Sequence, residues 1–275
     1  MVRTRTDLVE QRVAAANQLS ACLDAFWPGA LAVLADIQSE IALAFLERYP
    51  TPESAQGLGE ARMRAFCVKH GYCGRRPAAE LMARLRAAPA GPVDAVEADA
   101  RRDAVLAMVR VLRAPNAAIK DLDRSVVAHL GEHPDAEVFT SLPRSGQINA
   151  AQVLAEWGDH RPAYDSPDAV AALAGAAPVT KQSGKHHAVH FRWACNKRFR
   201  AAITTFADNS RHASPWAAKV DPDARARSCD HPHAIRILAR AWIRVIWACR
   251  ITQTPYDPAR HGNAVRLTEM AASAA

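Results

Sequence analysis

Apolar residues recur at helical spacing along most of the chain. Leu8, Val13, Ala16, Leu19, Leu23 and Phe26 form a stripe three to five residues apart, which predicts a helix over 6–26. Thr6 can cap that helix, Asp7 and Glu10 suit its positive end, and Pro28-Gly29 stops it. A second apolar segment, 30–46, ends near Tyr49-Pro50. Residues 51–66 read as a capped turn entering another helix, and a short helix starts at Pro77 before a Pro/Gly-rich link. Val105, Met108, Leu112, Ile119, Leu122, Val126 and Leu130 fall near a seven-residue repeat, the pattern of a long helix paired with another. Pro115 is expected to kink or break it. Helix 6–26 is the natural partner, giving an antiparallel arm. The alternative is that both helices pack in one globular helical core.

The second half continues in the same register. A turn at Pro143–Gly146 leads into a helix from about Asn149 to Glu156. This has the shape of a helix-hairpin-helix element, in which a glycine turn aims backbone N–H groups at a phosphate. The usual element has two glycines, and Arg144-Ser145 stand where one is expected, so a plain helical hairpin is the competing reading. Residues 191–206 read as a basic amphipathic helix, with Arg192, Lys197, Arg198 and Arg200 toward phosphates and Trp193, Phe199, Ile203 and Phe206 toward a core. A strong helix runs from His231-Pro232 to about Arg250, lined by Ile235, Leu238, Trp242, Val245 and Ile246. Its arginines 236, 240, 244 and 250 read as a solvated face rather than a contact surface. Alternating strand patterns are almost missing, and there are no internal repeats. The fold class is therefore mainly α: a helical, coiled-coil-like arm region over 1–138, a compact helical domain over 139–262, and a disordered tail over 263–275.

Charge sharpens the picture. The 275 residues carry a formal charge of +7 and a pI near 9.3. Between Lys181 and Arg211 stand seven Lys or Arg against one acid, Asp208, with histidines at 186, 187, 190 and 212. Such density favours a polyanion, because each phosphate contact releases condensed counterions. No apolar run is long enough to span a bilayer, and the N-terminus lacks a secretory core, so a cytoplasmic protein without membrane contact is expected. The six cysteines are scattered and are expected as free thiols. Cys67, His70 and Cys73 have a loosely ligand-like spacing, but no second half completes a zinc site, so no metal is expected there.

The candidate nucleophile is Ser183, in the polar turn Lys181-Gln182-Ser183-Gly184-Lys185. A serine attacking phosphate needs exposure, a permissive backbone and positive charge. Gly184 offers the second, and Lys181 and Lys185 the third. The nucleic-acid contacts expected beside it are Lys181, Gln182, Gly184, Lys185, Arg192, Lys197, Arg198, Arg200 and, from the earlier turn, Gly146.

In order, LPRSGQINAAQVLAEWGD, AGAAPVTKQSGK, FRWACNKRFRAAITTFADNSR and TPYDPARH resemble the 110/116/902 group of bacterial insertion-sequence transposases, also called DEDD transposases or bridge-RNA-guided recombinases. The resemblance runs along most of the chain. It implies DNA transposition through a serine that forms a covalent 5′-phosphoserine link, and the family's Ser-Gly turn falls on Ser183. It also implies DNA and a structured guide RNA as partners, self-association, and an N-terminal RuvC-like domain whose acidic tetrad binds Mg. The resemblance begins at the arm's first helix, so the tetrad is expected upstream of Met1, and Asp7 and Glu10 do not replace it. The expectation is a truncated chain, with no cofactor of its own and little or no recombination alone. The competing reading is a catalytically silent helical protein that only binds nucleic acid.

Overall fold

The structure is a computed structural model that describes residues 1–89, 95–184 and 186–260. Lys185 and the tail expected to be disordered, 263–275, lie outside the described residues. The architecture is mainly α, with one small two-stranded sheet among the described residues. The chain divides into two compact units, residues 3–122 and 123–275.

The first unit holds α1 (Val2–Phe26), α2 (Pro28–Val33), α3 (Glu40–Arg48), α4 (Glu60–Lys69), α5 (Ala78–Ala87) and the greater part of α6 (Ala95–Glu132). The C-terminal part of the stripe read from the sequence is buried: Leu19, Leu23 and Phe26 of α1 pack with Leu43 and Phe45 of α3 and with Val105, Val109 and Leu112 of α6, whereas Val13, expected in the same stripe, is exposed. α1 starts earlier than expected, with Met1 rather than Thr6 at its N-terminal boundary. α1 and α6 run antiparallel. The Arg12 guanidinium donates to Asn116 Oδ1 at 3.4 Å, while Arg101 lies over the Phe26 ring at 5.2 Å. Asn116 also donates to the Gln38 carbonyl at 2.8 Å, tying α6 to the segment before α3. Pro115 sits inside an unbroken α6. The carbonyl it deprives of a donor is that of Val111, an exposed residue, where water can replace the lost bond.

The second unit takes the end of α6, then α7 (Ala136–Thr140), α8 (Gln147–Trp157), α9 (Pro167–Leu173), β1 (Val179–Ser183), β2 (His186–His190), α10 (Lys197–Ser210), α11 (Pro215–Ala226) and α12 (His231–Thr252). Its core gathers Phe139, Trp157, Phe199, Phe206, Leu238, Trp242 and Ile246. Trp242 is its hub. The indole meets the rings of Phe206, Trp216 and Tyr256 at 4.9–5.3 Å, and its N–H donates to Ser210 Oγ at 2.8 Å. Burial of Tyr256 holds its phenol above the usual range, countered in part by a hydrogen bond to Ser214. The Pro-Tyr-Asp segment is thus a clamp on the core, and its Tyr256 N–H also donates to Ser141 Oγ at 2.8 Å.

Arg250 corrects the reading of α12. It is buried rather than solvated, bonded to Asp135 Oδ2 at 2.8 Å and to the Gly158 carbonyl at 3.1 Å. Gln253 caps the other Asp135 oxygen at 3.1 Å. Phe139 and Trp157 flank the guanidinium.

Candidate nucleic-acid interface

The stretch 179–190, expected as a turn and the entry to a helix, is a β-hairpin. Its strands are antiparallel, with Val179 opposite His190, Lys181 opposite Ala188 and Ser183 opposite His186. Only two residues join them, and Gly184 adopts φ +54°, the left-handed region that glycine enters without cost. Ser183 is therefore the last residue of β1, exposed and next to the turn. Lys181 and Gln182 are exposed on the same strand, and alternation puts Lys181 and Ser183 on one face of it.

The helix expected from Phe191 begins at Lys197. Asn196 is its cap, accepting from the Phe199 N–H at 3.0 Å, and the Asn196 N–H is held by the Leu173 carbonyl at 2.8 Å. Residues 191–196 are consequently an anchored loop. The arginines assigned to phosphate from the sequence separate into two groups. Arg192 turns back to donate to the Ala177 carbonyl at 3.1 Å. Arg200 donates to the Arg192 carbonyl at 2.5 Å, also contacts Cys195 Sγ, and lies 4.5 Å from the Phe191 ring centre. Those two hold the loop. Lys197 and Arg198 are exposed at the start of α10. Trp193, expected toward a core, is instead 77% exposed.

Between the hairpin and α12 lies a cavity of about 470 Å³. Its walls include Ala176, Pro178, Val189 and Ile237, and its rim Arg192, Arg236, Arg240 and Arg244. Arg236, Arg240 and Arg244 follow at four-residue intervals, so one face of α12 presents all three. Burial lowers the Arg236 pKa from its ordinary value. Asp230 opposes that shift, and the like charge of Arg200 adds to it. Arg240 and Arg244 share one carboxylate, Asp168, at 3.0 and 3.2 Å. Their hydrogen bonds, Arg240 first, pull Asp168 below the usual carboxylate range, against some desolvation. Two cations on one acid leave the rim net positive. The four-residue spacing of these arginines already marked one polar face in the sequence.

A second, wider concavity of about 690 Å³ surrounds the start of α8 and is lined by Arg124, Arg144, Gly146, Gln147 and Asn149, with Asp123. Gly146 is the residue before α8, as the turn reading placed it. Arg144 takes φ +55°, so the position where a glycine was expected does use the left-handed conformation.

No group of three or more His, Cys, Asp or Glu side chains able to hold a metal ion comes together among the described residues. No helix among them is long and apolar enough to cross a membrane.

Residues 136–221 match the model of the transposase family IS116/IS110/IS902. They span α7 through most of α11 and so include the hairpin. The chain is 31% identical over 266 residues to the mini-circle protein of Streptomyces coelicolor assigned as the transposase for IS117, covering 94% of this chain and 64% of that one. It is 28% identical to the 42 kDa protein of insertion element IS900 from Mycobacterium paratuberculosis, over 81% of this chain and 55% of the relative. It is also 28% identical to the 43.6 kDa protein of insertion element IS110 from S. coelicolor, over 91% and 62%. The chain thus spans a little over half to just under two thirds of the length of these relatives.

Proposed function

The chain belongs to the IS116/IS110/IS902 family of insertion-sequence transposases, and from that premise we propose that its second unit binds DNA and presents Ser183 to a scissile phosphate. The carrying observation is the placement of Ser183: exposed at the tip of a hairpin, one residue from a left-handed glycine, on the same strand as Lys181. Attack by the Ser183 Oγ forms a serine–phosphate ester at the 5′ side of the break. The 3′ oxygen leaves and takes up a proton, while the serine proton passes to solvent or a base. Rejoining to a second 3′ end reverses the step. Lys181, Lys185, Lys197 and Arg198 supply positive charge, and the N–H groups at the start of α8, next to Gly146, are suited to a neighbouring phosphate. Arg192 and Arg200 act indirectly in this reading, by fixing the loop behind the hairpin.

A structured guide RNA and self-association belong to the same proposal and rest on the family alone.

A nicked suicide substrate tests the chemistry, since it traps one covalent event per molecule. A protein–DNA adduct is expected with the wild type and absent with Ser183→Ala. Equal adduct from both removes the nucleophile. No adduct from wild type at saturating DNA leaves only the binding half, which would favour the catalytically silent reading.

A further inference from the structure

We infer that Trp193 and the arginine-rimmed cavity beside it form a site for an unpaired nucleotide, the indole stacking on a base while the rim takes its flanking phosphates. This deepens the nucleic-acid reading above and rests on it.

Three independent features meet here. The first is exposure. Of the six tryptophans, Trp27, Trp157 and Trp242 are buried and Trp216 and Trp247 are packed against the second unit's core, whereas Trp193 is 77% exposed. An exposed aromatic ring offers a face on which a base can stack.

The second is rigidity. The loop carrying Trp193 is fixed at both ends, by Arg192 on the Ala177 carbonyl at 3.1 Å and by Asn196 on the Leu173 carbonyl and the Glu156 carboxylate, both at 2.8 Å. The Trp193 ring stands edge-on to Phe191 at 4.9 Å, and Phe191 is itself covered by the guanidiniums of Arg200 and Arg236 at 4.5 and 4.7 Å. A platform so braced loses little freedom when a base stacks on it.

The third is charge next to apolar volume. Phe191 also lines the 470 Å³ cavity, a size within the roughly 300–1,000 Å³ of small-ligand sites. Its apolar wall and cationic rim match a flat base joined to phosphate. Base pairs in a duplex hide their faces in the stack, so a stacking platform selects unpaired strand. The chemistry suits DNA and RNA alike.

Fluorescence anisotropy of the full chain with a labelled twelve-nucleotide DNA, the same sequence as RNA, and the DNA as duplex discriminates these outcomes. Trp193→Ala is expected to weaken single-strand binding about five- to a hundred-fold, the range of one base–aromatic stack, and to leave duplex binding within about two-fold. Trp193→Phe should retain most of the affinity while abolishing the oligonucleotide-induced quenching of tryptophan emission. Loss in only the DNA or only the RNA arm supports the site and identifies its strand. Unchanged single-strand affinity in Trp193→Ala, or an equal fall for duplex, overturns it. Absence of salt-dependent binding to any of the three would instead overturn the nucleic-acid reading on which this site rests.

Discussion

At the scale of single side chains, the deepest electrostatic commitment in the second unit is Arg250 with Asp135. Both are nearly inaccessible, and an unpaired buried charge costs more than the pair gains. Asp135→Ala is expected to destabilise the unit by about 3–5 kcal/mol, read by urea denaturation. Pairing it with Arg250→Met should recover much of that loss. In the first unit, Arg113 bonds both Glu47 oxygens at 2.7 Å and Glu40 at 2.7 Å. The Arg113 hydrogen bond holds the Glu47 carboxyl below the usual carboxylate range. A depressed folded pKa contributes stability above the unfolded value, lost as pH falls through the folded one. Arg113→Ala should therefore cost stability at pH 7, and the difference should shrink as pH falls through the lowered Glu47 pKa. The amount is on the order of 0.5 kcal/mol, since the pair is partly exposed and screened. Thermal melts of both proteins at pH 7 and pH 3.5 would show it.

What the sequence revealed at this scale depends on the range of the interaction. The start of α12 was legible at His231-Pro232, because its signals are local, and Asp230 beside it accepts from the His233 N–H at 2.9 Å. The environment of Trp193 was not. Its position follows from Asn196 meeting a carbonyl at residue 173, twenty-three residues away, and no local periodicity records that bond. Arg250 misled for the same reason, since its partner lies 115 residues upstream.

At the scale of elements, long amphipathic helices were legible and the hairpin was not. The buried stripes of α6, α12 and the C-terminal part of α1 follow the apolar spacing, because helix burial imposes a 3.6-residue period that survives in the sequence. The hairpin has almost no buried face, so nothing enforces a two-residue alternation. Its strand order depends on the turn instead. Gly184→Ala places a side chain at φ +54°, at a cost of roughly 1–2 kcal/mol. It should loosen amide protection across 179–190 several-fold in hydrogen exchange, with Gly184→Asn milder. Unchanged protection would show that the turn does not set the register on which the Ser183 placement depends.

At the scale of the whole molecule, net charge named the class of partner but not its surface. The basic cluster after Lys181 divides on folding. Arg192 and Arg200 turn inward as braces, and Arg240 and Arg244 of α12 bring positive charge to the cavity rim. Four or so phosphate contacts on this surface predict that log affinity for DNA falls linearly with log salt, with a slope of about −3 to −5. The most direct test is that slope, measured between 50 and 200 mM salt for the wild type and for Arg240→Ala and Lys181→Ala. The account predicts a steep wild-type line and a slope shallower by about one in each variant. A flat wild-type response, or variants whose lines coincide with it, would contradict the assignment of this face to nucleic acid.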